Sequence, residues 1–246
     1  MSTWSKLSYQ HDYLAIAQGD VNYYSSVQKF GANFDIGINS APESVWSAGG
    51  LYPWASLDAA ETLYLISTDT GDTDTILLEG LDANYLPLTE SVQMAGQTAV
   101  ATVNQFKRIY RMEYNHGTIN AGTVTARTVS GTGVVVAQVD PTLAQTLMAV
   151  YTVPAGFTGY LLNLDFSVNK GKDAQCRLYA REFSRSFRIK HLTEVYESSY
   201  RYDFTVPLHF PEKTDIDIIA YQVESAGTRV SCNFDLILVD NARPNH

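Results

Sequence analysis

Cysteine is scarce in this chain of 246 residues, which contains only Cys176 and Cys232. Each lies in a run of alternating apolar and polar residues, and they are too far apart in sequence to form a paired metal-binding motif. We therefore expect two buried free thiols, and a disulfide between them is the alternative.

Long hydrophobic segments are also missing. No stretch reaches the roughly 18 apolar residues that a membrane-spanning helix needs. The first ten residues, MSTWSKLSYQ, lack the apolar core of a signal peptide. We expect a protein with no membrane partner and no export signal.

Basic residues are few at the start of the chain. Residues 1–100 contain two basic residues against twelve acidic ones, and the whole chain has a net charge of −9. Neutralised phosphates supply most of the affinity for nucleic acid, so we expect no nucleic-acid partner. The basic surplus between Lys170 and Arg201 instead favours charge complementarity between copies of the chain or with another protein.

Catalytic motifs are absent as well. There is no Gly-x-Ser-x-Gly sequence and no glycine-rich phosphate loop between a strand and a helix. The carboxylates of Asp69–Asp74 alternate as in a calcium loop, but no distal glutamate completes an EF-hand, so a hairpin turn is the better interpretation. We expect a non-enzymatic protein with no catalytic residue, cofactor or metal site. The five histidines lack metal-ligand spacing: His11, His116, His191, His209 and His246.

What the chain does have is a repeated strand pattern. From Glu61 to Asp240, short runs of alternating polarity are separated by Gly, Asn, Asp or Pro, as in strands joined by turns. This pattern predicts an all-β protein with a β-sandwich or jelly-roll-like core. The predicted strands are Glu61–Ser67, Thr73–Glu79, Glu90–Met94, Thr98–Val103, Phe106–Tyr114, Gly122–Thr128, Val134–Val139, Thr146–Val153, Thr158–Val168, Gln175–Glu182, Phe187–Thr193, Tyr200–Val206, Asp215–Val223 and Arg229–Val239.

Residues 1–54 lack this pattern. They are rich in Ser, Asn, Gly and aromatic residues, and they show neither the strand nor the helix period. A short helix over Ala15–Lys29 is possible by composition, but Gly19 weakens it. We expect an extended N-terminal arm over residues 1–54, followed by one sandwich domain over residues 55–246. A boundary between two β-modules near Thr128–Gly133 is the alternative.

One later strand carries alternating arginines. There, Arg177, Tyr179 and Arg181 are predicted to lie on one face, and Leu178 and Ala180 on the other. This arrangement is typical of a solvated or interface-lining strand. A nucleic-acid groove uses the same residue types and is the alternative.

The segment FGANFDIGINSAPESVWSAGGLYPW, residues 30–54, resembles the opening of a family of virion structural proteins from tailed phages, many of them marine or cyanophage-type. In that family an FG-x-N-x-DI run precedes Glu, Trp, a Gly-Gly pair and a Tyr-Pro-Trp-like ending. Further segments match in the same order: STDT, EGLDANY, ESVQMAG, YTVPAGFT and EKTDI. The resemblance covers roughly residues 30–241.

The resemblance implies a component of the virion, assembled in the host cytoplasm, that contacts the major capsid protein or tail components. It implies no active-site residues. Aromatic anchors beside flexible glycines suit an interface, so we expect the attachment element to include Phe30, Phe34, Trp46, Tyr52 and Trp54. The alternative is that the last three cover an edge of their own subunit.

Three functions remain open from the sequence. The first is a capsid decoration, cement or accessory protein that forms a homo-oligomer, with a trimer favoured, because particle lattices present symmetric sites. The second is a tail-fibre or receptor-binding module that recognises the host surface. The third is a particle-borne depolymerase, for which no residue pattern gives support.

Overall fold

The structure is a computed structural model, and it describes residues 9–38, 41–115, 117, 119–221 and 223–244. Nearly all of the regular structure in these residues is β, with one α-helix, α1 (Tyr9–Gln18), and a 3-10 helix at Trp54–Leu57. The all-β prediction is confirmed. The strands are β1 (Tyr24–Ile36), β2 (Glu43–Ser44), β3 (Glu61–Ser67), β4 (Thr75–Leu81), β5 (Pro87–Gln93), β6 (Val100–Phe106), β7 (Arg108–Tyr114), β8 (Val124–Arg127), β9 (Val135–Val139), β10 (Val150–Thr152), β11 (Phe157–Val168), β12 (Asp173–Arg181), β13 (Arg188–Tyr196), β14 (Ser199–Phe210), β15 (Asp215–Tyr221) and β16 (Thr228–Asp240).

The strands form four antiparallel sheets that face each other in two pairs. In the first sandwich, a sheet ordered β1-β16-β11-β14 packs on a sheet ordered β10-β15-β12-β13, to which β2 adds beside β15. In the second sandwich, a sheet ordered β6-β3-β8-β9 packs on a sheet ordered β5-β4-β7. The second sandwich is inserted in the chain between β2 and β10.

Each sandwich has its own apolar core. Phe166 and Phe234 from one sheet meet Leu178 and Ile218 from the other in the first sandwich. The two thiols, Cys176 and Cys232, also lie in this core, and both are buried and free, as expected. Burial disfavours a thiolate and raises the pKa of Cys176 to about 12. These thiols are therefore packing groups rather than nucleophiles.

The expectation of an extended arm over residues 1–54 is wrong. This segment contains β1, a full strand of the first sandwich that pairs along its length with β16. The inward positions of β1 include Lys29, Gly31 and Asn33, all buried. These residues are polar or small, so the usual alternation of apolar residues does not mark the strand. A sandwich confined to residues 55–246 is likewise wrong, because β1 and β2 complete its sheets.

Gly31 allows β1 to pack closely against the backbone of neighbouring segments. A Cβ atom at this position would lie 2.2 Å from the Ala149 backbone nitrogen and 2.4 Å from the Val45 carbonyl oxygen. Only glycine lets β1 pass this close to the neighbouring backbone. The helix also differs from its prediction, since α1 ends before most of Ala15–Lys29. Residues 1–8 of the expected arm lie outside the described residues.

Candidate functional site

Three of the five expected attachment residues are packed inside their own chain. Trp46 and Tyr52 are each 3% exposed and Trp54 is 8% exposed. Their rings meet edge to face, with centroids 5.2 Å apart for Trp46 and Tyr52 and 4.7 Å apart for Tyr52 and Trp54. The expectation that they anchor a partner is therefore wrong, and the own-subunit alternative holds. Phe30 is half-buried on β1, and Phe34 is 41% exposed there.

The Trp54 indole belongs to a buried polar cluster between the sandwiches. Its Nε1 donates to Asp217 Oδ2 at 2.8 Å, and Ser44 Oγ donates to the same oxygen at 3.1 Å. The other oxygen, Asp217 Oδ1, has no hydrogen-bond partner among the described residues. Burial disfavours the carboxylate and raises the pKa of Asp217 to about 7. The carboxyl therefore changes its charge near neutral pH.

Asp215, two residues earlier on β15, ties the two sandwiches together. Arg108 from the second sandwich donates to it through Nε at 2.9 Å and Nη2 at 3.1 Å. Arg181 at the end of β12 donates through Nη2 at 2.6 Å, and Thr152 donates through Oγ1 at 2.6 Å. Losing one partner of such a buried pair leaves an uncompensated charge. This cluster therefore fixes how the sandwiches sit together.

A second polar contact joins the sandwiches at Lys29. Its Nζ donates to the Tyr110 carbonyl oxygen and lies 5.6 Å from the Tyr110 ring centroid. Burial, assisted by the nearby Arg111 charge, lowers the pKa of Lys29 to about 7. Lys29 and Asp215 are both buried, so both junction sites hold the fold.

The segment of alternating carboxylates is a turn between β3 and β4, but not the expected hairpin turn, because these two strands belong to different sheets. Asp69 Oδ1 accepts a bond from the Gly71 backbone at 2.7 Å. Asp72 accepts bonds from the backbones of Ala121 at 2.7 Å and Gly122 at 2.9 Å, which uses its oxygens inside the fold. Across the described ranges, no group of three or more His, Cys, Asp or Glu side chains is placed to hold a metal ion.

The outward face of β12 and β13 carries exposed side chains of the kinds found in protein interfaces. The register places Tyr179 opposite Ile189, Arg177 opposite Leu192 and Asp173 opposite Tyr196. The intervening residues of β12 point into the core, so the predicted division of its faces is confirmed. We call this surface the β12–β13 face and define it by Arg177, Tyr179, Ile189, Leu192 and Tyr196.

This face combines apolar area with charge. Ile189 and Leu192 are each 47% exposed and Tyr196 is 63% exposed. The Arg177 guanidinium lies 4.5 Å from the Tyr221 ring centroid, in a cation–π contact. Aromatic side chains and arginine are enriched in the cores of protein interfaces. The composition of the β12–β13 face is therefore that of a binding surface.

Among the described residues, β13 is also the last strand of its sheet and pairs with β12 alone. On its inner side, His191 packs against the rings of Tyr202 at 4.9 Å and Tyr200 at 5.9 Å from β14. This contact packs β13 against β14, where the two sheets of the first sandwich meet. Within the described part of the chain, no strand pairs with the outer backbone edge of β13, whose flanking charges are Arg188 and Lys190 near one end and Glu194 near the other.

Comparisons with known proteins give no family. No protein-family model matches the chain, and no curated protein matches it. A crystal structure of the PBSX exported protein XepA is 11% identical, with 86% of this chain and 84% of that chain covered and a TM-score of 0.22. The infectious bursal disease virus VP2 subviral particle is 9% identical, with 90% and 73% covered and a TM-score of 0.22.

At such scores these structural neighbours carry no argument about function. Among the described residues, no helix has the length and apolar character needed to cross a membrane.

Proposed function

We propose that this protein is a non-enzymatic structural component of a phage particle, which self-associates through β13 and binds other virion proteins through the β12–β13 face. The observation that carries the proposal is the sequence of β13 itself. Placement in a particle is supported by the ordered resemblance of residues 30–241 to virion structural proteins of tailed phages. The capsid or the tail would supply the partner.

The sequence of β13, RIKHLTEVY, is complementary to itself when it is paired antiparallel about Leu192. In that register, Lys190 lies opposite Glu194 of a second copy, and the two form an ion pair. Because the axis is two-fold, this pair forms twice.

No described strand pairs with the outer edge of β13, so this edge is available for such pairing. A register irregularity opposite Leu178 and Tyr179 leaves Lys190 without a partner residue on β12. Its ion pair with Glu182 is long, at 3.9 Å, and exposed, so it adds little stability. An exposed edge strand presents unpaired N–H and C=O groups that a second strand can satisfy. The geometry therefore favours a two-fold contact over the trimer expected from the sequence.

Charge exchange tests this contact. Lys190→Glu and Glu194→Lys should each place like charges opposite one another and reduce the dimer fraction measured by light scattering. The double variant Lys190→Glu/Glu194→Lys should restore the dimer, because the pair is re-formed with its signs exchanged. Lys170→Glu, an exposed change off this strand, is the matched control. A monomeric wild-type protein at micromolar concentration would overturn the two-fold contact.

Incorporation into particles tests the second half of the proposal. Arg177→Glu and Tyr179→Ala, which lie on β12 and not on the proposed self-pairing strand, should reduce the amount of protein recovered with purified particles while the melting temperature stays close to that of the wild type. A copy number of scores to hundreds per particle is expected for a decoration or cement protein, whereas a tail-fibre or receptor-binding module would be present in far fewer copies. Release of products from host polysaccharide would contradict the non-enzymatic assignment.

A further inference from the structure

A cleft of about 240 Å³ opens where the loops of the two sandwiches meet, beside the buried Asp215 cluster. The β4–β5 turn supplies Tyr85, and the β6–β7 connection supplies Lys107. The β12–β13 turn supplies Phe183 and Arg185, and the β14–β15 turn supplies Lys213. Both sandwiches therefore build its walls.

The charges in this cleft do not balance. Its lining holds five basic residues, Lys107, Arg108, Arg181, Arg185 and Lys213, against three acidic ones, Asp58, Glu182 and Asp215.

Asp215 is already bonded to two of the arginines. Within the described part of the chain, no carboxylate lies within 4.0 Å of the Lys107 or Lys213 ammonium groups. Two ammonium groups and the Arg185 guanidinium thus face the cleft without a close anion.

Aromatic rings stand beside these cations. Tyr85 and Phe183 meet edge to face, with centroids 6.0 Å apart, and Phe183 is 57% exposed. The Lys213 ammonium lies 5.2 Å from the Phe183 ring centroid and 5.9 Å from that of Tyr85. A ligand that carries both a negative group and an apolar C–H surface would contact both the cations and the aromatic rings of the cleft.

The walls are fixed in place before any ligand arrives. Tyr85 and Lys213 hold left-handed backbone angles, with φ of 65° and 61°. The Tyr85 carbonyl oxygen accepts a bond from the Ala155 backbone at 2.9 Å, and the Lys213 backbone N–H donates to Val153 at 2.8 Å. Such conformations persist only where surrounding contacts hold them, and they concentrate at binding sites.

We propose that this cleft binds the carboxylate-bearing sugar unit of an acidic saccharide, with Lys107, Arg185 and Lys213 around the carboxylate and Phe183 against the ring. Pockets for drug-sized ligands span about 300–1,000 Å³, so this smaller cleft fits a single sugar unit rather than a longer segment of a protein partner. Burial and the nearby Arg108 charge lower the pKa of Lys107, and a bound anion would raise it again. This site goes beyond the proposed assembly role and does not depend on it.

Titration of the full chain with glucuronate, followed by NMR, tests the site, with glucose as the neutral sugar and acetate and inorganic phosphate as simple anions. Saturable shifts are expected for glucuronate and not for the other three probes. Lys213→Met should weaken binding at least about tenfold, because a hydrogen bond to a charged group is lost. Lys107→Met provides a second variant, and Lys170→Met, an exposed lysine away from the cleft, is the control.

Three results would overturn the proposal: no saturable response to glucuronate, an equal response to acetate or phosphate, or an equal loss of binding in Lys170→Met. Light scattering of the same variants separates this site from the assembly role. Cleft variants should lose the sugar and keep the dimer, whereas the β13 charge variants should lose the dimer and keep the sugar.

Discussion

Replacement of Trp54 by alanine separates packing within the chain from attachment to a partner. Trp54 is 8% exposed, packs edge to face with Tyr52 and donates to Asp217 at 2.8 Å. Truncating a buried tryptophan to alanine costs about 3–5 kcal/mol of folding free energy. For a chain of this size each kcal/mol lowers the melting temperature by about 2–4 °C. We therefore expect Trp54→Ala to melt about 6–20 °C below the wild type.

A second variant separates the contribution of ring packing from that of the hydrogen bond to Asp217. Trp54→Phe keeps most of the ring contact with Tyr52 but removes the Nε1–H donor to Asp217, and it should cost about 1–3 kcal/mol. Phe34→Ser, an exposed aromatic on β1, should change stability by less than about 0.5 kcal/mol.

Differential scanning calorimetry on the three variants checks these values, and particle incorporation is measured beside it. An unchanged melting temperature for Trp54→Ala, together with lost incorporation, would refute the packing argument and restore the attachment role.

Two further predictions concern the junction and β1. The folded protein holds the Asp217 proton with a pKa of about 7, above the ordinary 3.8, so this carboxyl makes the free energy of unfolding fall as pH rises between those values. Asp217→Asn should flatten that dependence in urea titrations at several pH values; an unchanged slope would contradict the assignment. Gly31→Ala should cost at least about 3 kcal/mol, because its Cβ meets backbone atoms. Gly159→Ala, whose nearest neighbours are side-chain atoms, should cost clearly less in the same denaturation assay, and similar losses would argue against the clash.

Strands that bury alternating apolar residues could be predicted from the sequence. The predicted Glu61–Ser67 matches β3 at both ends, and the other thirteen predicted strands each overlap an observed one. β1 could not be found this way, because Lys29 and Asn33 occupy inward positions that are normally apolar. Their burial depends on partners elsewhere in the chain, such as the Tyr110 carbonyl oxygen for Lys29, and local pattern does not show such partners.

The candidate site was only partly predictable for a related reason. The two faces of β12 follow from its alternation, which is a local property. The burial of Trp46 and Trp54 does not follow from a local pattern, because the glycine and serine residues around them show no alternation of apolar and polar residues. The Arg108 and Asp215 pair joins residues 107 positions apart. Its one local signal is the aspartate pair at alternate positions of the otherwise apolar β15.

The pairing of β1 with β16 has a consequence for the order in which the chain folds on the ribosome. The inserted second sandwich has all its strands once β9 has emerged, so its core forms first. The first sandwich waits for the last strand, roughly 5–20 s later at ordinary synthesis rates. During that interval β1 lacks β16, the strand with which it pairs. The first sandwich, to which β13 belongs, is therefore incomplete. A chain cut short before β16 would therefore lack a completed first sandwich, and with it the edge through which self-pairing is proposed.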